Sequence, residues 1–143
     1  MGMHEPDIEA LAWDAQQRDD DALYRKQVAY LLENSRFYRD KLAAAGFRTA
    51  EEIGGLADIA RLPLTEKDEL RATRTEADPI GTHLCAPMDR LARIYSTSGT
   101  TGTPSYIPLT ASDLENWVRT SARSYAASGV EAGQSIVTTY NAG

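Results

Sequence analysis

The chain has 143 residues, a formal net charge of −6 and a single cysteine, Cys85, so an internal disulfide is excluded. Acidic and basic residues are mixed along the sequence, which argues against the clustered basic face of a nucleic-acid-binding protein. No apolar run approaches the roughly 20 residues that span a bilayer, and the start, Met1-Gly2-Met3-His4-Glu5-Pro6, lacks the basic and apolar stretches of a signal peptide, so a soluble cytoplasmic protein is expected.

Residues 7–45 read as helix. From Asp21 onward Leu23, Val28, Leu31 and Leu32 recur at helical spacing, and Phe37, Leu42 and Ala45 continue the stripe after a break near Asn34-Ser35. Gly46 is a natural stop. Residues 51–60 carry Ile53, Leu56 and Ile59, with Gly54-Gly55 splitting them into two short turns. Pro63 fixes the approach to a further helix, which Thr65 and Asp68 open as a capping box and which runs to about Arg74. Residues 78–88 read as loop.

Residues 91–97 form a predicted strand and residues 105–109 a second one. Thr110-Ala111-Ser112-Asp113 repeats the capping pattern and opens a long helix to about Ser128, closed by Gly129. Its apolar side holds Leu114, Trp117, Val118, Tyr125 and Ala126, and Trp117 and Tyr125 are expected in the core. Ile136-Val137-Thr138-Thr139-Tyr140 is β-branched and apolar and reads as a buried strand. Such a strand needs neighbours, so the chain is expected to be a fragment of a longer protein. The fold class is α/β: a helical N-terminal segment, residues 1–90, followed by the start of a mixed sheet, residues 91–143, incomplete within the chain.

Between the first two strands lies Tyr95-Ser96-Thr97-Ser98-Gly99-Thr100-Thr101-Gly102-Thr103-Pro104. Glycine lets backbone N–H groups approach an anion closely, and Ser and Thr hydroxyls add donors around it, so the run suits phosphate. The Walker pattern is absent, since Thr103 rather than lysine follows Gly102, and so is the dinucleotide pattern G-x-G-x-x-G. A flexible Ser/Gly linker is the bland alternative, but Arg-Ile-Tyr before the run and Tyr-Ile-Pro-Leu after it are not linker sequence.

The run closely resembles the nucleotide loop of the adenylate-forming superfamily. Ser35-Arg36-Phe37-Tyr38-Arg39, Leu42, Ala45-Gly46 and Leu62-Pro63-Leu64-Thr65-Glu66-Lys67-Asp68-Glu69-Leu70-Arg71 precede it in order; Asp113-Leu114, Trp117, Ala122-Arg123 and Gly129-Val130 follow. Over residues 20–143 the series resembles the N-terminal part of the phenylacetate-CoA ligase family, the aryl-CoA ligase branch. The resemblance implies an ATP-dependent acid–thiol ligase that forms an acyl-adenylate and then the CoA thioester, with ATP, Mg²⁺, coenzyme A and a small aromatic carboxylic acid as its ligands. The remainder of the enzyme chain would be its partner, and a homodimer is left open.

Carried over residue by residue, Ser96, Thr97, Ser98, Gly99, Thr100, Thr101, Gly102 and Thr103 would hold the β- and γ-phosphates. Thr103 departs from the lysine common in the family, which puts the strength of ATP binding in question. Tyr140, Ala142 and Gly143 fall where these ligases line the acid pocket, with Ala142 in place of a frequent aromatic residue; a simple strand end is an equal alternative. The catalytic residues are expected outside this sequence, and the fragment alone is expected to be inactive. Arg36, Arg39, Lys67 and Arg71 read either as phosphate or CoA ligands or, preferably, as a solvated face with local pairs such as Glu69 near Arg71. His4 and His83 have no partner at metal-ligand spacing, and Cys85 is set aside as a nucleophile because the family's thioester uses the thiol of CoA. An adenylating enzyme that loads a carrier protein and a non-catalytic nucleotide-binding or interaction module remain as alternatives.

Overall fold

The structure, a computed structural model, describes residues 2–97, 104–137 and 139. Contacts divide the chain into two compact units, one spanning Ala12–Asp113 and the other made of residues 1–11 with 114–143.

The larger unit begins with α2 (Trp13–Asn34) and α3 (Arg36–Ala44), which follow α1 (Pro6–Glu9) of the smaller unit. Ser35 makes the expected break: its backbone is extended, φ −114° and ψ 113°, and its Oγ accepts from the Tyr38 N–H at 3.3 Å to cap α3. Gly46 at φ 93° then reverses the chain so that the Phe47 N–H donates to the Leu42 carbonyl at 2.8 Å, closing α3 and returning Phe47 to the interior. Helix α4 (Ala50–Ile53) carries a full capping box, with the Glu52 N–H donating to Thr49 Oγ1 at 3.3 Å and the Thr49 N–H to the Glu52 carboxylate at 3.2 Å. A short 3-10 turn, Leu56–Arg61, follows, tied back to α2 by the Leu56 N–H donating to Asp21 Oδ1 at 2.7 Å.

Val28, Leu42, Phe47 and Ile53 form the core of this unit, with Tyr24, Leu32, Tyr38, Ala50 and Leu62 packed around them. Tyr24, Val28 and Leu32 recur every fourth residue, so one face of α2 supplies the floor onto which α3 and α4 fold.

Helix α5 (Lys67–Ala72) starts later than expected. The capping register uses Glu66 and Glu69, with the Glu66 N–H donating to Glu69 Oε2 at 2.7 Å, in place of Thr65 and Asp68. Thr65 is the residue type that favours an N-cap, so the sequence points to its register alone. Glu69 is selected because it also binds Lys41 Nζ of α3 at 2.5 Å, a pairing between elements that capping rules do not contain.

A second 3-10 turn, Met88–Arg90, leads into β1 (Leu91–Ser96), which pairs antiparallel with β2 (Tyr106–Thr110). The register places Ile94 opposite Pro108, Tyr95 opposite Ile107 and Ser96 opposite Tyr106, with an irregularity between Leu91 and Arg93. The α/β reading therefore holds, in the form of a helical segment followed by a two-stranded antiparallel sheet.

Helix α6 (Ala111–Ala127) opens on the expected box: the Thr110 N–H donates to Asp113 Oδ2 at 2.8 Å and the Asp113 N–H to Thr110 Oγ1 at 3.3 Å. In the smaller unit Glu5, just before α1, bridges Arg119 at 2.7 Å and Arg123 at 3.2 Å on α6.

Two expectations fail here. Trp117 and Tyr125 are each 49% exposed and Val118 is 68% exposed, because helical periodicity identifies an apolar face without supplying a cover for it. Among residues 136, 137 and 139 no strand forms, and Ile136 and Val137 lie exposed. Strand propensity reflects packing against neighbours, and no described strand lies alongside these residues.

Candidate functional site: the base of the nucleotide loop

The hairpin puts the flanks of the Ser/Thr/Gly run side by side. Beyond the Ser96–Tyr106 pair the Thr97 N–H donates to the Ser105 carbonyl at 3.0 Å, and the Ser105 N–H donates to Thr97 Oγ1 at 3.1 Å. Thr97 thus seals the base with both backbone and side chain, while its hydroxyl proton is still available to donate. Ser96 and Thr97 are the expected loop residues that the structure places. Ser98, Gly99, Thr100, Thr101, Gly102 and Thr103 lie outside the described residues, as do Tyr140, Ala142 and Gly143.

Two arginines grip the outgoing flank. Arg71, in the last turn of α5, donates through Nε to Ser105 Oγ at 3.0 Å and through Nη1 to Asp68 Oδ1 at 2.8 Å. Its side chain is 16% exposed, so it is no solvated surface group, and Glu69, its expected mate, is engaged by Lys41. Arg74 donates through Nη1 to the Pro104 carbonyl at 2.5 Å and lays its guanidinium over the Tyr106 ring, 4.4 Å from the centroid. Sequence reasoning passed over Arg74. Arg74 lies just past the end of α5, beyond its C-cap Thr73, and no spacing in the sequence marks its contact with Pro104 and Tyr106.

The other arginines behave as expected for surface groups. Arg36 pairs with Asp40 at 3.6 Å with both side chains more than two-thirds exposed. Arg39 donates to the Leu32 and Glu33 carbonyls at 3.1 and 3.3 Å, satisfying the end of α2. Lys67 is exposed at the start of α5.

Beneath the hairpin a cleft of about 380 Å³ is lined by Gln27, Tyr30, His83, Cys85, Pro108 and Asp113, among others. Tyr30 donates its phenol to the Cys85 carbonyl at 2.5 Å. Burial pushes the Cys85 thiol above its ordinary value, the opposite of an activated nucleophile. Among the described residues no group of three or more His, Cys, Asp or Glu is placed to hold a metal ion.

Burial also lowers the His83 pKa below 6.5, partly offset by the Tyr106 backbone and by Asp78. A histidine held neutral by burial stabilises the fold above its ordinary pKa, and that contribution is lost as pH falls through the lower folded-state value. Thermal denaturation is therefore expected to show a stability loss as pH drops below about 6.5 that His83→Gln flattens, with the two proteins converging in slope at neutral pH.

No family model matches the chain. The phenylacetate-coenzyme A ligase of Thermus thermophilus is 33% identical over 141 residues, 99% of this chain and 30% of that protein. The chain belongs to the phenylacetate-CoA ligase family. The enzyme of the same name from Escherichia coli is 35% identical over 102 residues, 71% of this chain and 22% of that protein. Among solved structures, 2-hydroxyisobutyryl-CoA ligase in complex with 2-HIB-AMP and CoA superposes with a TM-score of 0.80 at 27% identity, over 90% of this chain and 27% of that one. The chain thus spans at most about a third of the length of these relatives.

Membership agrees with what the structure shows around the loop: a helical segment, then two antiparallel strands that flank the family-like run. No helix among the described residues is long and apolar enough to cross a membrane.

Proposed function

We propose that this sequence supplies the nucleotide-loop portion of a cytoplasmic ATP-dependent aryl-CoA ligase. Residues 1–90 act as a helical support and residues 91–143 begin the AMP-binding domain. Residues 96–103 bind the β- and γ-phosphates of ATP, and Tyr140, Ala142 and Gly143 border the pocket for an aromatic carboxylic acid.

The donor set fits a polyphosphate. Hydroxyls and backbone N–H groups bind phosphate oxygens yet release pyrophosphate afterwards, which a rigid cage of fixed cations would oppose. ATP supplies a transferable adenylyl group: the acid's oxygen forms a bond to the α-phosphorus, the bond to the β-phosphate oxygen breaks, and pyrophosphate leaves. The CoA thiolate then attacks the acyl carbon and AMP departs. Loop residues contribute by orienting the triphosphate and neutralising charge in the first step. Mg²⁺ enters this reading as the counter-ion of ATP.

The observation that carries the reading is the match across 99% of the chain to a phenylacetate-CoA ligase, with the Ser/Thr/Gly run flanked by two paired antiparallel strands. The relatives are named for coenzyme A, which favours CoA over a carrier protein as acceptor. The test is product analysis with a ligase of full family length carrying this sequence, given ATP, Mg²⁺ and a panel of aromatic acids. Thioester is expected on free CoA and not on a phosphopantetheinyl carrier protein; the reverse result assigns the carrier-loading activity instead.

A further inference from the structure

We infer that Arg71 and Arg74 are positioning residues for nucleotide binding, acting through Ser105 and Pro104 to fix the outgoing flank of the loop. The inference rests on the ligase reading for its consequence and on the hairpin geometry for its mechanism.

A loop that binds phosphate through hydroxyls and N–H groups gains from donors held in place before the ligand arrives, since each donor that must be ordered on binding weakens the complex. The incoming flank is held by β1. The outgoing flank begins at Pro104, which has no N–H, so its carbonyl is the one backbone group that can anchor it. Arg74 takes that carbonyl and also covers the face of Tyr106. Between them stands Ser105, only 9% exposed, whose hydroxyl receives Arg71 Nε and whose N–H is used on Thr97. Consecutive residues 104, 105 and 106 are therefore each held by an arginine.

Residue type matters at both positions. The Arg71 fork spans Asp68 and Ser105 at once, and the planar guanidinium of Arg74 serves a carbonyl and a ring face together; a lysine ammonium at either place makes a single point contact. Asp68 is 85% exposed, so its pairing with Arg71 is worth little on its own, whereas the contact of Arg71 with Ser105 is part-buried. Gly81 belongs to the same assembly. At φ +105°, with an added Cβ 2.3 Å from Thr73 Oγ1 and 3.3 Å from Arg74 Cγ, it lets the following turn close over Arg74.

The experiment uses the full-family-length ligase and its variants Arg71→Met, Arg71→Lys, Arg74→Met, Ser105→Ala and Arg71→Met/Ser105→Ala. In acid-dependent ATP–pyrophosphate exchange, Arg71→Met is expected to raise the KM for ATP about tenfold, the effect of one lost hydrogen bond from a charged donor, with the KM for the acid within about twofold of wild type. The double variant is expected to lose less than the sum of the two single losses, because Arg71 and Ser105 are direct partners. Arg71→Lys should recover only part of the loss. Amide hydrogen exchange supplies a readout independent of activity: Thr97 and Ser105 should exchange faster in Arg71→Met and Arg74→Met, with amides around Val28 and Ile53 unchanged. Unaltered ATP KM in an active enzyme, or KM values for ATP and acid rising together with a general loss of protection, overturns the inference. Should the wild-type ligase show no exchange of pyrophosphate, the ligase reading fails by itself, and unchanged amide rates at Thr97 and Ser105 would sink the clamp separately.

Discussion

Replacing Thr100 and Thr101 together by valine is expected to slow acid-dependent ATP–pyrophosphate exchange about ten- to a hundredfold in the full-family-length ligase. Valine keeps the branched shape of threonine and removes its hydroxyl, so loop volume is preserved while two donors disappear. A hydrogen bond to a charged group contributes roughly 1.5–3 kcal/mol, and each 1.36 kcal/mol off the transition state is about tenfold in rate, so loss of a single effective donor already gives this range. Transfer to CoA from a chemically supplied acyl-adenylate should be far less affected, because the β- and γ-phosphates have left by then. Thr103→Lys tests the same surface from the other side. Restoring the cation common in the family should tighten ATP binding without changing the KM for the acid.

Ile53→Ala is expected to cost about 2–5 kcal/mol of stability, the range for deleting a fully buried aliphatic side chain that leaves a cavity behind. Ile53 has no exposure at all and sits among Val28, Leu42 and Phe47 where α4 meets α2 and α3, with a core too small to redistribute the loss. The measurement is the urea midpoint at unchanged m-value. Leu64→Ala provides the control: Leu64 is 90% exposed, and its truncation should stay within about 0.5 kcal/mol.

The features legible in the sequence were those decided within a few residues. Ser35 breaks α2 from α3, Gly46 ends α3 and Thr110 with Asp113 opens α6, because each rests on a side chain meeting backbone one turn away. The two strands flanking the Ser/Thr/Gly run were legible because each finds its partner in the other, across a short stretch of sequence. What failed depended on distant partners. Capping rules point to Thr65 as the start of α5, and the observed start at Glu66 goes with Glu69 being bound by Lys41 of α3. Arg71 looked like a surface charge because Ser105 lies 34 residues further on. Trp117 and Tyr125 were read as core from their spacing, yet a stripe says which side faces inward and is silent on what, if anything, covers it.

The central claim is that this loop activates a carboxylate with ATP. Its most direct measurement is exchange of labelled pyrophosphate into ATP by the full-family-length ligase, with Mg²⁺ and without CoA, in the presence and absence of an aromatic acid. Exchange that requires the acid and needs no CoA is the result expected here. A folded enzyme that exchanges no pyrophosphate with any aromatic acid, or that exchanges it equally without one, would contradict the account.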